Sequence, residues 1–161
     1  MREYLVYVGT YNKAKGRGIH AFRFDVAAGR LTSLGLATEA VNPTFVTTDP
    51  RGRFLYATKE VRRHEGRKSG AVKAFAIDRK TGKLRFLNEV ASGGTIPCYV
   101  SMDRTGKFVL VANYGSGSVE VIRVRSDGRL GKITAFEQRA GTDLDPTQRF
   151  QGTKRRRRGR G

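Results

Sequence analysis

One segment of the chain is written twice. Pro43-Thr44-Phe45-Val46 leads to Asp49-Pro50-Arg51-Gly52-Arg53-Phe54, and Pro97-Cys98-Tyr99-Val100 leads to Asp103-Arg104-Thr105-Gly106-Lys107-Phe108, at a constant offset of 54 residues. Pro, Val, Asp, Gly and Phe recur unchanged, while Phe45/Tyr99 and Arg53/Lys107 recur in kind. Internal similarity at a fixed spacing restricts the chain to an array of like units, each completed by its neighbours.

The contents of the unit decide which array. Leu55-Tyr56-Ala57, Ala71 to Asp78 and Leu84-Arg85-Phe86-Leu87 are short runs rich in Val, Phe, Tyr and Ile, closed by turns such as Lys80-Thr81-Gly82-Lys83. That is the grammar of strands and hairpins, with no helix signalled. Four such strands per unit make a β-propeller blade, a small sheet covered on both faces by its neighbours. The N-terminus repeats the pattern only from the second strand: Tyr4 to Gly9, Gly18 to Asp25, and Arg30 to Gly35. The expectation is an all-β partial propeller with two full four-stranded blades, near 42–95 and 96–140, and three strands of a third blade. In a closed ring the missing strand comes from the far end of the chain.

Composition bounds this less than geometry does. A chain of 161 residues with 38% hydrophobic content, nine Phe and six Tyr supplies a core. An open arc still leaves apolar faces and unprotected edges in water. Self-association through those faces is therefore expected.

The expected domain is 1–140, followed by a distinct segment at 141–161. Thr153 to Gly161 has no apolar residue to bury and reads as a disordered basic tail, suggesting a gene fragment, a frameshift or a mis-called end. Lys and Arg total 32 against 14 Asp and Glu, a formal charge of +18, and six of the cations fall in the last eight residues. Basic runs can neutralise phosphates. Here the other cations are spread over turns and strands, as at Arg51, Arg53, Lys80 and Lys83, so a nucleic-acid partner is not expected. The single Cys98 excludes an internal disulfide, and no apolar run reaches the length of a membrane span. Without a leader pattern at the N-terminus the expected compartment is cytoplasmic.

Several motifs together resemble the N-terminal part of the lactonase family of seven-bladed propellers. They are Tyr7-Val8-Gly9-Thr10-Tyr11, "NPTFVTTDPRGRFLYA", "GAVKAFAIDRKTGKL", "SGGTIPCYVSMDRTGKFVLVANYGSGSV" and "DGRLG", which span about residues 3–140. The family includes 6-phosphogluconolactonase and cycloisomerase-like proteins. The resemblance implies hydrolysis of a sugar lactone such as 6-phosphogluconolactone, with no metal or other cofactor. It places the chemistry at the channel mouth, where first strands begin and second strands end.

Those positions are Thr44 and Phe45, Cys98 and Tyr99, Lys59 and Glu60, and Asn113 and Tyr114. Lactone opening needs a base for water and donors for the oxyanion. The resemblance makes Glu60 the candidate base, with Tyr99, Asn113 and Tyr114 as candidate substrate-binding residues. Tyr99 stands where many members carry His, and Lys59 where Asn is usual. His20 lies in an alternating strand and His64 in a polar loop, with no sequence partner for metal or triad chemistry. Gly115-Ser116-Gly117-Ser118 reads as a hairpin turn, since no helix follows it. Two function classes follow: an impaired portion of a lactone hydrolase, or of a carboxymuconate cycloisomerase-like enzyme, and a non-catalytic propeller-type binding scaffold.

Overall fold

The computed structural model describes residues 3–11 and 18–139. Eleven strands in three antiparallel sheets account for them, and no helix occurs among the described residues. The first sheet has the order β1-β2-β3, with β1 Glu3–Gly9, β2 Ile19–Asp25 and β3 Arg30–Thr38. The second holds β4 Val46–Thr48, β5 Phe54–Lys59, β6 Ala71–Ile77 and β7 Leu84–Ala91; the third holds β8 Pro97–Met102, β9 Phe108–Asn113, β10 Ser118–Val124 and β11 Leu130–Gln138. Both four-stranded sheets run in sequence order from the inner strand outward. The segment 141–161, with its basic run, lies outside the described residues.

The 54-residue offset holds through Phe54/Phe108 and the two strands they begin. It shortens afterwards, because residues 60–70 link β5 to β6 whereas 114–117 suffice between β9 and β10. The first sheet follows the same plan. Asp25 Oδ1 accepts the Ala27 amide at 2.9 Å, as Asp78 Oδ1 accepts the Lys80 amide at 2.9 Å. The glycines that follow, Gly29 and Gly82, have φ of 61° and 74°, a left-handed conformation that costs glycine little. β1 thus stands in second-strand position, with no inner strand beside it among the described residues.

Packing follows strict alternation in β5. Leu55 and Ala57 join Ile19, Ala21, Ala37 and Phe75 in a core between the first and second sheets. Tyr56 points the other way and joins Val72, Ala74, Val100, Val109, Val111 and Ile122 between the second and third. Consecutive residues serve different interfaces, so a sheet face here is an inter-blade contact. Polar clasps lock the second interface. The Tyr56 hydroxyl donates to the Gly128 carbonyl at 3.0 Å, and the Asn88 amide exchanges bonds of 2.8 and 2.9 Å with the Leu130 backbone.

Candidate functional site

Second-strand ends and inter-sheet connectors meet at one end of the arc. The close fit there needs residues without side chains: a Cβ on Gly9 would lie 1.6 Å from the Pro43 carbonyl oxygen, and one on Gly70 2.1 Å from Pro97 Cδ. Pro43 and Pro97 are the repeat-equivalent residues that open each inner-strand segment. Backbone bonds complete the rim, with the Glu60 amide on the Asn42 carbonyl at 3.1 Å and the Tyr114 amide on the Ile96 carbonyl at 2.9 Å.

Glu60 and Tyr114 are equivalent across the two blades. The Glu60 carboxylate accepts a hydrogen bond from the Thr44 hydroxyl, which contacts the Thr58 hydroxyl at 3.2 Å. Thr58 in turn bonds the Phe45 backbone, and the Asn42 side-chain amide donates to the Glu60 carbonyl at 3.0 Å. A half-buried carboxylate is thereby fixed in place. Its equivalent, Tyr114, is 50% exposed and lines, with Cys98 and Val119, a cleft of about 640 Å³ on the outer face of the third sheet. Tyr99 is 48% exposed and its ring lies 4.6 Å from that of Phe45, joining the two inner-strand segments.

Asn113 is placed differently from these three. Its side chain is buried, and Nδ2 donates to the Ser92 carbonyl, the Ser118 hydroxyl and Glu120 Oε2 at 3.3, 3.2 and 3.1 Å. Glu120, on the same inward face of the third sheet, is missing from the sequence-level candidates. Burial pushes its carboxyl up to about 8, opposed by the bond from Asn113. Its Oε1 and Asn113 Oδ1 are buried without a hydrogen-bond partner. The signal was one acidic residue in the alternating run Ser118-Val119-Glu120-Val121-Ile122, whose Ser118–Glu120 side reads as the solvent face, whereas the structure buries that side together with Ile122.

Lys59 turns towards the first-sheet side and meets Glu89 at 2.8 Å; Lys73 reaches the same carboxylate at 3.1 Å and His64 Nδ1 lies 3.3 Å from it. Burial raises the Glu89 pKa, but the hydrogen bonds and charges of both lysines outweigh it and hold the carboxyl below its ordinary value. His64 thus has an acidic neighbour that sequence proximity could not show. Among the described residues, no His, Cys, Asp and Glu side chains gather into a group able to hold a metal ion. No helix among them is long and apolar enough to cross a membrane.

One three-stranded and two four-stranded antiparallel sheets, stacked in sequence order through apolar cores, define part of a β-propeller. The sequence profile of the lactonase family, a seven-bladed β-propeller, matches residues 5–153, and the chain belongs to that family. It is 41% identical over 130 residues to the 6-phosphogluconolactonase of Bacillus subtilis strain 168, a match covering 81% of this chain and 36% of the relative. A solved structure from Bacteroides fragilis superposes with a TM-score of 0.78 at 32% identity, covering 89% of this chain and 38% of that one. The periplasmic gluconolactonase of Pseudomonas aeruginosa gives 0.73 at 32% identity, covering 84% and 39%. The chain therefore spans under two fifths of the length of each of these relatives.

Proposed function

We propose that this chain carries the Glu60 part of a lactone-hydrolase site acting on a sugar lactone of the 6-phosphogluconolactone type. The observation that supports it is the Thr44-bound Glu60 carboxylate at the mouth end of a lactonase-family arc. In this reading Glu60 takes a proton from water as the water oxygen bonds to the lactone carbonyl carbon. The Tyr99 and Tyr114 hydroxyls steady the oxyanion of the tetrahedral adduct. Collapse breaks the bond from the carbonyl carbon to the ring oxygen. The ring oxygen receives the proton, leaving the open hydroxy acid with atoms balanced.

Three sheets supply only one side of such a site. Tyr99 and Tyr114 are half exposed, and a water-excluding environment needs walls that an arc does not have. The chain by itself is expected to turn over little lactone. The test compares it with the same chain completed by the remaining blades of the Bacillus subtilis relative, assayed on 6-phosphogluconolactone. Gain of turnover on completion supports the reading; a completed, folded propeller without turnover contradicts it and favours a binding scaffold.

A further inference from the structure

The link between β5 and β6 is where the second and third blades differ most. It carries Arg62, Arg63, Arg67 and Lys68 with Glu65 as its one acid beyond Glu60, whereas the equivalent link reads Tyr114-Gly115-Ser116-Gly117. All four cations are exposed. None of them forms an ion pair among the described residues, although surface arginines elsewhere do, as Arg23 does with Glu3, Arg53 with Asp49 and Arg129 with Asp127. The second sheet is packed on both faces, so this exposure does not come from an uncovered face.

The link is held in a fixed shape. The His64 and Arg67 backbones exchange bonds of 3.1 and 3.0 Å around a two-residue turn in which Glu65 and Gly66 have φ of 48° and 77°, the geometry of a tight hairpin. His64 fastens the hairpin to the second blade. Its side chain is 9% exposed, with Nδ1 3.3 Å from Glu89 Oε1. At the two feet, the Val61 carbonyl accepts the Ile96 amide at 3.0 Å and the Gly70 amide donates to the Gly94 carbonyl at 2.7 Å. Both partners lie between β7 and β8, in the connector that enters the third blade. The hairpin therefore stands on the mouth rim, directly beyond Glu60.

We propose that this hairpin holds the phosphate of a phosphorylated sugar lactone, with Arg62 and Arg67 as its main donors, and so sets the preference for phosphorylated over plain lactones. The proposal rests on the lactone-hydrolase reading of Glu60. Arg63 already donates to the Gly66 carbonyl at 3.4 Å, and Lys68 offers only a point charge. Arg62 and Arg67 keep planar guanidinium forks that match two phosphate oxygens each. A phosphate monoester carries a charge of about −2 near neutral pH, which four unpaired cations can balance. Arg62 stands two residues from Glu60, about 7 Å of extended chain. That spacing suits a substrate that reacts at one end and carries its charge at the other.

The test titrates the full chain with 6-phosphogluconate and with gluconate at about 0.15 M salt, followed by nuclear magnetic resonance. 6-Phosphogluconate should bind at least about tenfold more tightly than gluconate. Arg62→Gln and Arg67→Gln should each weaken it by at least about threefold while leaving gluconate unchanged. Arg104→Gln and Lys80→Gln, on exposed turns at the opposite end of the blades, should alter neither affinity. In the completed propeller, the double hairpin variant should raise KM for 6-phosphogluconolactone at least about tenfold with kcat little changed. Equal affinity for the two acids, or equal losses from the hairpin and the opposite-end substitutions, would overturn the proposal. Turnover that depends on Glu60 but not on Arg62 and Arg67 would also overturn it and leave the Glu60 reading standing. Phosphate-dependent binding lost in the hairpin variants, with no turnover in the completed propeller, would support the hairpin as a phosphate site and contradict the Glu60 reading.

Discussion

Asp49 and Asp103 hold the same turn in adjacent blades. Asp49 Oδ1 accepts the amides of Arg53 and Phe54, the latter at 2.9 Å, and Asp103 Oδ1 accepts those of Lys107 and Phe108, each at 2.8 Å. In both turns the glycine amide, Gly52 or Gly106, closes on the aspartate carbonyl. Repetition of chemistry at the level of single atoms is why the sequence period survives where the strands themselves vary.

Replacing Asp49 by Ala should cost about 1–3 kcal/mol, because it removes a buried carboxylate from two part-buried amides; Asp103→Ala, more exposed, should cost less. Equilibrium urea unfolding of the two variants measures this. An equal or reversed order would contradict the assignment.

The Thr105 hydroxyl, with backbone amides assisting against slight burial, holds the Asp103 carboxyl down at about 2. A depressed folded-state value means that its stabilisation is present above the ordinary carboxyl range near 4 and is lost as pH falls towards 2. The stability gap between wild type and Asp103→Asn should therefore shrink across that interval. A gap independent of pH between 4 and 2 would argue against the turn's charge-assisted bonds.

Glu120 carries the opposite sign. Its carboxyl ionises near the ordinary value in the unfolded chain but keeps its proton to about 8 when folded. Stability should fall as pH rises from about 4.5 to about 8, by on the order of a few kcal/mol. Glu120→Gln keeps the shape and the Asn113 contact while abolishing that slope. Thermal or urea unfolding at several pH values reads it, and a slope that persists in the variant would clear Glu120 of the role.

The Glu89 carboxylate between Lys59 and Lys73 is half-buried, so Glu89→Gln should destabilise by about 1–3 kcal/mol, leaving two ammonium groups against each other. Lys73→Met, which leaves the Lys59 pair intact, should cost less. Unfolding midpoints of the two variants test the order.

Thr44 positions Glu60 without facing the lactone in the proposed reaction. In the completed propeller, Thr44→Val should lower kcat about tenfold with KM little changed, and Thr44→Ser should restore most of it. A change confined to KM would place Thr44 in substrate binding instead.

The sheets were legible in the sequence because repetition supplied what propensity alone does not. Asp49/Asp103 and Pro43/Pro97 fixed the register of two blades, and Gly29/Gly82 extended it to three-stranded β1–β3. The family, too, was legible from motifs in order. What escaped was contact between strands and loops within one unit. His64 meets Glu89 across 25 residues of chain through β6 and β7, and Glu120 meets Asn113 by folding one face inwards. Adjacent positions such as Asn113 and Tyr114 share a motif but point to opposite faces of their strand end. Both border the same cleft, but the Asn113 amide is spent on Ser92, Ser118 and Glu120 in the interior while Tyr114 is half exposed.

The most direct measurement is the rate of 6-phosphogluconolactone hydrolysis by the completed propeller with Glu60 intact and with Glu60→Gln. Loss of the base should lower kcat by about 10²–10⁴-fold while the two proteins unfold at the same temperature. Turnover equal to that of the parent in Glu60→Gln would contradict the account.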